Sequence, residues 1–272
     1  MTLPLLARTG LALGCCLGLS TADPAPPEDG DPPVSVRYPE GLVHGFLVLT
    51  VPDGDTLAWG DLLQTVEDDA VHSRMIFRFP DGSVHDERVT FTQDGAFRLW
   101  WYGLRQRGPT FPRRLDATLD LATGKYRVET LDPEEEEQEP EVDEGTLEDL
   151  PPDVYSGMIP VIAKNLDSGG AEVHVVAFTP APMLVELEMR PEEETAVLLG
   201  DGSRPVVHYV LDPDLGFLKG ILADLTGRSP PDNHLWLATG DAPAFVRFEG
   251  PLFVEGPPWR IELTVPRWTG GR

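Results

Sequence analysis

From Leu42 onward, apolar and polar residues alternate at period two, and glycine-containing turn pairs separate the runs. The clearest runs set Leu115, Ala117, Leu119 and Leu121 against Arg114, Asp116, Thr118 and Asp120. A second sets Val185, Leu187 and Met189 against Glu186, Glu188 and Arg190, and a third sets Ile261, Leu263 and Val265 against Arg260, Glu262 and Thr264. Alternation at this period places one side of each strand on a core and the other on water. Asp81-Gly82, Asp94-Gly95 and Thr123-Gly124 have the composition of hairpin turns. The pattern predicts a mainly β chain with a few helices (α+β), built on an antiparallel meander.

The turn at Asp94-Gly95 admits two registers. A two-residue loop opposes Phe91 to Arg98 and Val89 to Trp100. A three-residue loop, Gln93-Asp94-Gly95, opposes Phe91 to Phe97 and Val89 to Leu99. Apolar cross-strand pairs on a continuous face favour the second. The preceding hairpin then adds Met75, Phe77 and Phe79 to that face, with Trp101 at its far end. His85 and Glu87 also fall on the apolar side. An exposed strand end is the preferred account of those two polar residues, and a polar spot inside a cavity is the alternative.

Two segments break the β pattern. Leu150–Leu166 places Val154, Met158, Val161 and Ile162 at helical spacing, with Pro151 and Pro152 at its start and Pro160 as a kink. Leu215–Leu225 carries an apolar stripe of Leu215, Leu218, Leu222 and Leu225. Both are expected to be helices packed on the sheet.

This order of elements, with stretches such as FRFPDGSVHDERVTF (Phe77–Phe91) and LRQRGPTFPRRLDATLDLATGKY (Leu104–Tyr126), resembles exported bacterial half-barrel proteins related to periplasmic lipoprotein carriers. The resemblance covers roughly Gly41 to Pro266 and rests on element order and length. It implies a curved antiparallel sheet, or half-barrel, with two packing helices in its concave face and a hydrophobic cavity for acyl chains. No motif is diagnostic, so no functional residue carries over. The acidic insert between the two halves departs from the carrier pattern.

Composition adds a leader and a charge imbalance. Met1–Leu19 has Arg8 as its one charge and an apolar run from Leu11 to Leu19, followed by Ser20-Thr21-Ala22. That is the layout of a secretory signal peptide over residues 1–22, too short to span a bilayer. The expectation is an exported protein, periplasmic or extracellular. Both cysteines, Cys15 and Cys16, lie in this leader, so cleavage after Ala22 would leave no thiol. The alternative is a lipoprotein anchored through Cys15. Residues 23–37 read as a disordered Pro/Asp-rich linker, and residues 38–268 as a single β-rich domain with no transmembrane helix. The net charge of −25 disfavours nucleic acid and anionic lipid as partners. Residues 132–153 hold 12 acids and no base, which predicts a mobile, solvated loop.

The chain carries no zinc-protease helix motif, nucleophile elbow or phosphate-binding glycine loop. No metal site and no cofactor are expected. His174 and His208 are the pair that could meet across the sheet. Trp100, Trp101 and Tyr102 form an aromatic triple that must show rings on both faces of its strand, while Trp236 and Trp259 read as edge-sealing residues. The ligand-cavity candidates are Trp100, Trp101, Tyr102, His85 and Glu87. The leading expectation is non-enzymatic binding of a hydrophobic ligand, or of an envelope or lipoprotein partner. The alternatives are a secreted carbohydrate- or protein-interaction module, and a hydrolase in which His85 and Glu87 would meet another polar group in a pocket.

Overall fold

The computed structural model describes residues 33–264, apart from positions 53, 133–138, 168, 180, 193, 200–201, 215–232, 242 and 255. The leader, with Cys15, and the stretch Leu215–Leu225 lie outside the described residues. Fifteen strands are described, all in one sheet. The first meander runs through β1 (Val43–Thr50), β2 (Thr56–Glu67), β3 (Ala70–Arg78), β4 (Val84–Thr92), β5 (Arg98–Arg107), β6 (Arg114–Asp120), β7 (Lys125–Leu131) and β8 (Glu141–Thr146). The second comprises β9 (Ala171–Thr179), β10 (Ala181–Pro191), β11 (Thr195–Leu199), β12 (Gly202–Asp214), β13 (Asn233–Ala238), β14 (Ala244–Gly250) and β15 (Trp259–Thr264).

Most strands pair antiparallel with their sequence neighbours; β8 does not pair with β9, and two ladders join strands that are not neighbours in sequence. β10 pairs with β12, from which β11 branches, and the first and last strands join the two meanders through Leu47–Leu263 and Leu49–Ile261. β8 and β9, consecutive in sequence, therefore lie at opposite edges of the sheet. The sheet curls until β7 comes into contact with β10. Alternation governs the faces: in β6, Leu115, Ala117 and Leu119 are buried and the residues between them are not. The outer face is laced with ion pairs, including Arg74 and Arg88 on Asp86, Arg105 and Arg107 on Asp116, and Arg247 on Glu262.

The helical spacing over Leu150–Leu166 yields one helix, α1 (Ile159–Ala163), in place of the expected packing helix across the whole segment. Two features shorten it. Gly157 sits at a φ of +71°, in the left-handed region, which stops any helix running in from Val154. Pro160 suits only the first turn. Upstream, residues 153–155 are extended and pair in parallel with β9, through Val154 opposite His174 and Tyr155 N–H to the His174 carbonyl at 2.8 Å. The segment plugs the curl with Tyr155, Met158 and Ile162, all fully buried. Burying such side chains stabilises by about 1.5–3 kcal/mol each.

Four other expectations are corrected. Phe91 pairs with Leu99 and Val89 with Tyr102, through a five-residue connection and a bulge after Thr90. The connection is drawn out because its residues pair elsewhere: Ser35 bridges Ala96, Phe97 N–H donates to the Val34 carbonyl and Val36 N–H to the Gly95 carbonyl. The end of the Pro/Asp-rich stretch is thus held on the domain at Val34–Arg37, with Arg37 N–H donating to Asn165 Oδ1 at 2.8 Å. The acidic insert is in part structured, since Glu141–Thr146 forms β8 along β7. Trp236 and Trp259 belong to interior strands of the sheet, β13 and β15, and seal no edge.

Candidate functional site

The β4–β5 bulge decides where the aromatic triple points. Leu99 and Tyr102 both face the concave side, and Trp100 is the residue the bulge leaves without a cross-strand partner. Trp100 is on the outer face, 51% exposed. Trp101 lies outward as well, its ring over the Cα of Gly103, where a Cβ would come within 2.3 Å of it. Trp101 therefore does not extend the inner apolar face; Tyr102 takes that place. Of the five candidates, Tyr102, His85 and Glu87 face the interior. Trp59 is also exposed on the outer face, but β2 and β5 are three strand steps apart, about 14 Å, so it forms no shared platform with Trp100.

His85 is not at an exposed strand end: it is 3% exposed, between the rings of Phe77 and Phe111. Gln106 Nε2 contacts His85 Nδ1 at 3.1 Å and the Leu252 carbonyl at 2.6 Å. Burial pulls the His85 pKa down to about 4, against a smaller opposing pull from the Asp86 charge. Glu87 bonds elsewhere, accepting the Tyr102 hydroxyl at 2.8 Å. Burial raises the Glu87 pKa, and the Tyr102 bond opposes it. Burial likewise raises the Tyr102 phenol, with the charge of Glu87 adding to the effect. His85 and Glu87 thus share a face but engage different partners, which is not the arrangement of a hydrolytic pair.

The inner face is packed unevenly. One buried cluster holds Leu47, Leu49, Phe77, Phe79, Phe111 and Trp259; the other centres on Val89, Phe91, Phe97, Leu119 and the plug. Between them runs a cross-strand row of Gly45, Leu62, Met75, Glu87 and Leu104. All five are inward by register yet only half-buried, whereas Gly60, Phe77, His85 and Gln106 of the row beside them are buried. On β15, Leu263, which pairs with Leu47 of the row beside, is 46% exposed and leans its Cδ2 toward Gly45. The result is an accessible apolar band with one carboxylate. Sequence alternation put Glu87 on this face; the bulge that brings Tyr102 to it left no mark in the sequence. Two further surface grooves lie over β6–β8, lined by residues such as Tyr126, Arg127 and Glu144 in one and Val128, Thr130 and Glu141 in the other.

The histidines pair differently from expectation. His174 bonds Asp153 through Nδ1 at 2.9 Å and pins residues 153–155 to β9. His208 meets His234, its Nε2 3.0 Å from His234 Nδ1, while its Nδ1 bonds Glu192 at 2.9 Å. His208 also stacks at 4.5 Å on Trp236, which Arg247 covers. Burial lowers the His208 pKa, Glu192 works against it, and His234 adds to it. Among the described residues, no group of three or more His, Cys, Asp or Glu is arranged to hold a metal ion, and no helix is long and apolar enough to cross a membrane.

No family model matches the chain, and no curated protein matches it. Among solved structures, the beta-barrel-like protein of domain of unknown function DUF1849 from Brucella abortus is similar over 82% of this chain and 97% of its own. The identity is 12% and the TM-score 0.42.

Proposed function

We propose that this is a non-enzymatic binding protein that takes a hydrophobic ligand along the band between the two buried clusters. The observation that carries the reading is the row Gly45–Leu62–Met75–Glu87–Leu104, inward by register but still accessible between the two buried clusters. Apolar surface left open inside a curled sheet is the ordinary setting of a small-molecule site, with few polar groups to orient the ligand. Glu87 and Tyr102 supply those groups. The leader over residues 1–22 supports export, so the ligand would be met in the periplasm or outside the cell, with a lipid anchor at Cys15 as the other form of the mature protein.

Titration with a neutral hydrophobic fluorophore, N-phenyl-1-naphthylamine, tests this. Saturable binding is expected in the native protein. Leu62→Trp, which fills the band, should abolish it while the thermal transition remains. Absence of saturable binding to the native protein overturns the proposal, as does unchanged binding in a folded Leu62→Trp variant.

A further inference from the structure

Several outward carboxylates of the sheet pair with arginine, whereas Glu87 on β4 and Asp143 on β8 are inward by register, Asp143 lying opposite the buried Val128 and 3.5 Å from the Tyr126 hydroxyl. Asp61, Asp86, Asp116, Glu249 and Glu262 project outward, and each meets an arginine. Glu87 projects inward, and the hydrogen bond it receives comes from a neutral phenol, Tyr102. Its cross-strand neighbours in the row are Met75 on one side and Leu104 on the other. Among the described residues no cation pairs with Glu87; a carboxylate so placed in apolar surroundings is costly, and a ligand that brings the cation removes the cost. Gly157 packs directly above, its missing Cβ 3.3 Å from Glu87 Oε1 and closer still to Val89, so the protein's own chain brings backbone to the carboxylate there. From Glu87 the row runs through Met75 and Leu62 to Gly45, three strand steps or about 14 Å along the sheet, and Leu263, the cross-strand partner of Leu47, leans over Gly45 from β15.

We propose that the ligand is a cationic amphiphile: an alkyl amine whose ammonium group pairs with Glu87 and whose chain lies along Met75, Leu62 and Leu263. This rests on the band being the ligand site. Tyr102 holds the carboxylate in place while keeping its own phenol neutral, so Glu87 is the specificity-determining group. A fatty acid of the same length would set a second carboxylate against Glu87 and is disfavoured by like charge. The chain's net charge of −25 also draws cations toward the surface, which is why the test must separate Glu87 from the general field.

The experiment is displacement of N-phenyl-1-naphthylamine at pH 7.5 by dodecylamine, dodecanol and dodecanoate, each below its micellar concentration. In the native protein the amine should displace the probe at roughly tenfold lower concentration than the alcohol, the size of one charged hydrogen bond, and dodecanoate should be weakest. In Glu87→Gln the amine and the alcohol should converge to within about threefold. Equal displacement by all three compounds overturns the assignment and leaves the band as a general hydrophobic site. An amine preference that survives Glu87→Gln also overturns it. Failure of the probe to bind at all removes the site itself. Should Glu87→Gln not fold, the native protein is compared at low salt and in 0.5 M sodium chloride, which screens the general field: an amine preference that persists supports the pairing with Glu87, and one that vanishes overturns it.

Discussion

Gln106 fixes the tautomer of His85. The Leu252 carbonyl can only accept, so the amide of Gln106 must turn its nitrogen toward both Leu252 and His85 Nδ1. His85 Nδ1 is then the acceptor, and the ring proton sits on Nε2, which has no hydrogen-bond partner among the described residues. A buried neutral imidazole is thus built into the wall beside Phe77 and Phe111.

Acid should destabilise the protein through this residue. The folded pKa of about 4 lies below the ordinary 6.5, so between those values the unfolded chain holds a proton that the folded chain refuses. Stability is then unaffected above pH 6.5, falls as the pH drops toward 4, and levels off with a total cost of about 3 kcal/mol. Urea denaturation across that range should show the slope in the native protein and its loss in His85→Leu. Glu87, whose pKa is raised, works with opposite sign, so a Glu87→Gln background shows the histidine limb most clearly.

Tyr102→Phe should cost about 1–3 kcal/mol at pH 8, since it leaves the Glu87 carboxylate without its donor. In a Glu87→Leu background the same change should cost much less, because no partner is left unsatisfied. A double-mutant cycle by denaturant melting reads the difference. Equal costs in both backgrounds would mean that the hydroxyl contributes nothing through Glu87, since the ring stacked on Phe178 is kept in every variant.

Gly157→Ala should lower the thermal midpoint by several degrees. The added Cβ would lie 2.6 Å from Val89 Cγ1, at a φ of +71° that side chains rarely adopt. Ile162→Ala, which empties a fully buried position in the plug, should cost about 2–5 kcal/mol. Ile162 belongs to the buried cluster and not to the band, so Ile162→Ala should bind the hydrophobic probe at temperatures where it remains folded.

A chain beginning at Gly41 should be less stable than one beginning at Val34. It lacks the Ser35–Ala96 bridge and the bond from Val34 N–H to the Tyr155 hydroxyl at 2.8 Å. Hydrogen exchange at Phe97, whose amide bonds the Val34 carbonyl, should rise first.

The β content, the hairpin turns and the inward placement of His85 and Glu87 were legible because period-two alternation reports the face of a strand directly. The register of β4 on β5 was not. It depends on Val34–Val36, some sixty residues away in sequence, pairing with the turn and drawing it out. The helix over Leu150–Leu166 failed for a local reason that could have been found: Gly157 and Pro160 together leave room for little more than one turn. The meeting of His208 with His234 needed knowledge of which strands are neighbours, as did the recognition of Trp259 as core. The two rows that differ in accessibility, Phe77–His85–Gln106 and Met75–Glu87–Leu104, alternate identically in sequence. The loop residues Phe111 and Leu252, which pack on His85 and Gln106, distinguish the first row from the second.

The pairing of β1 with β15 has a consequence for how the chain is made. Most ladders join neighbours in sequence and can zip as they emerge. β1 cannot complete its outer edge until residues 259–264 exist, more than two hundred residues later. Throughout synthesis its backbone amides and carbonyls on that side stand open to any other nascent strand. The interval before the final strand arrives is therefore when this protein is most exposed to aggregation and most in need of a chaperone that masks strand edges.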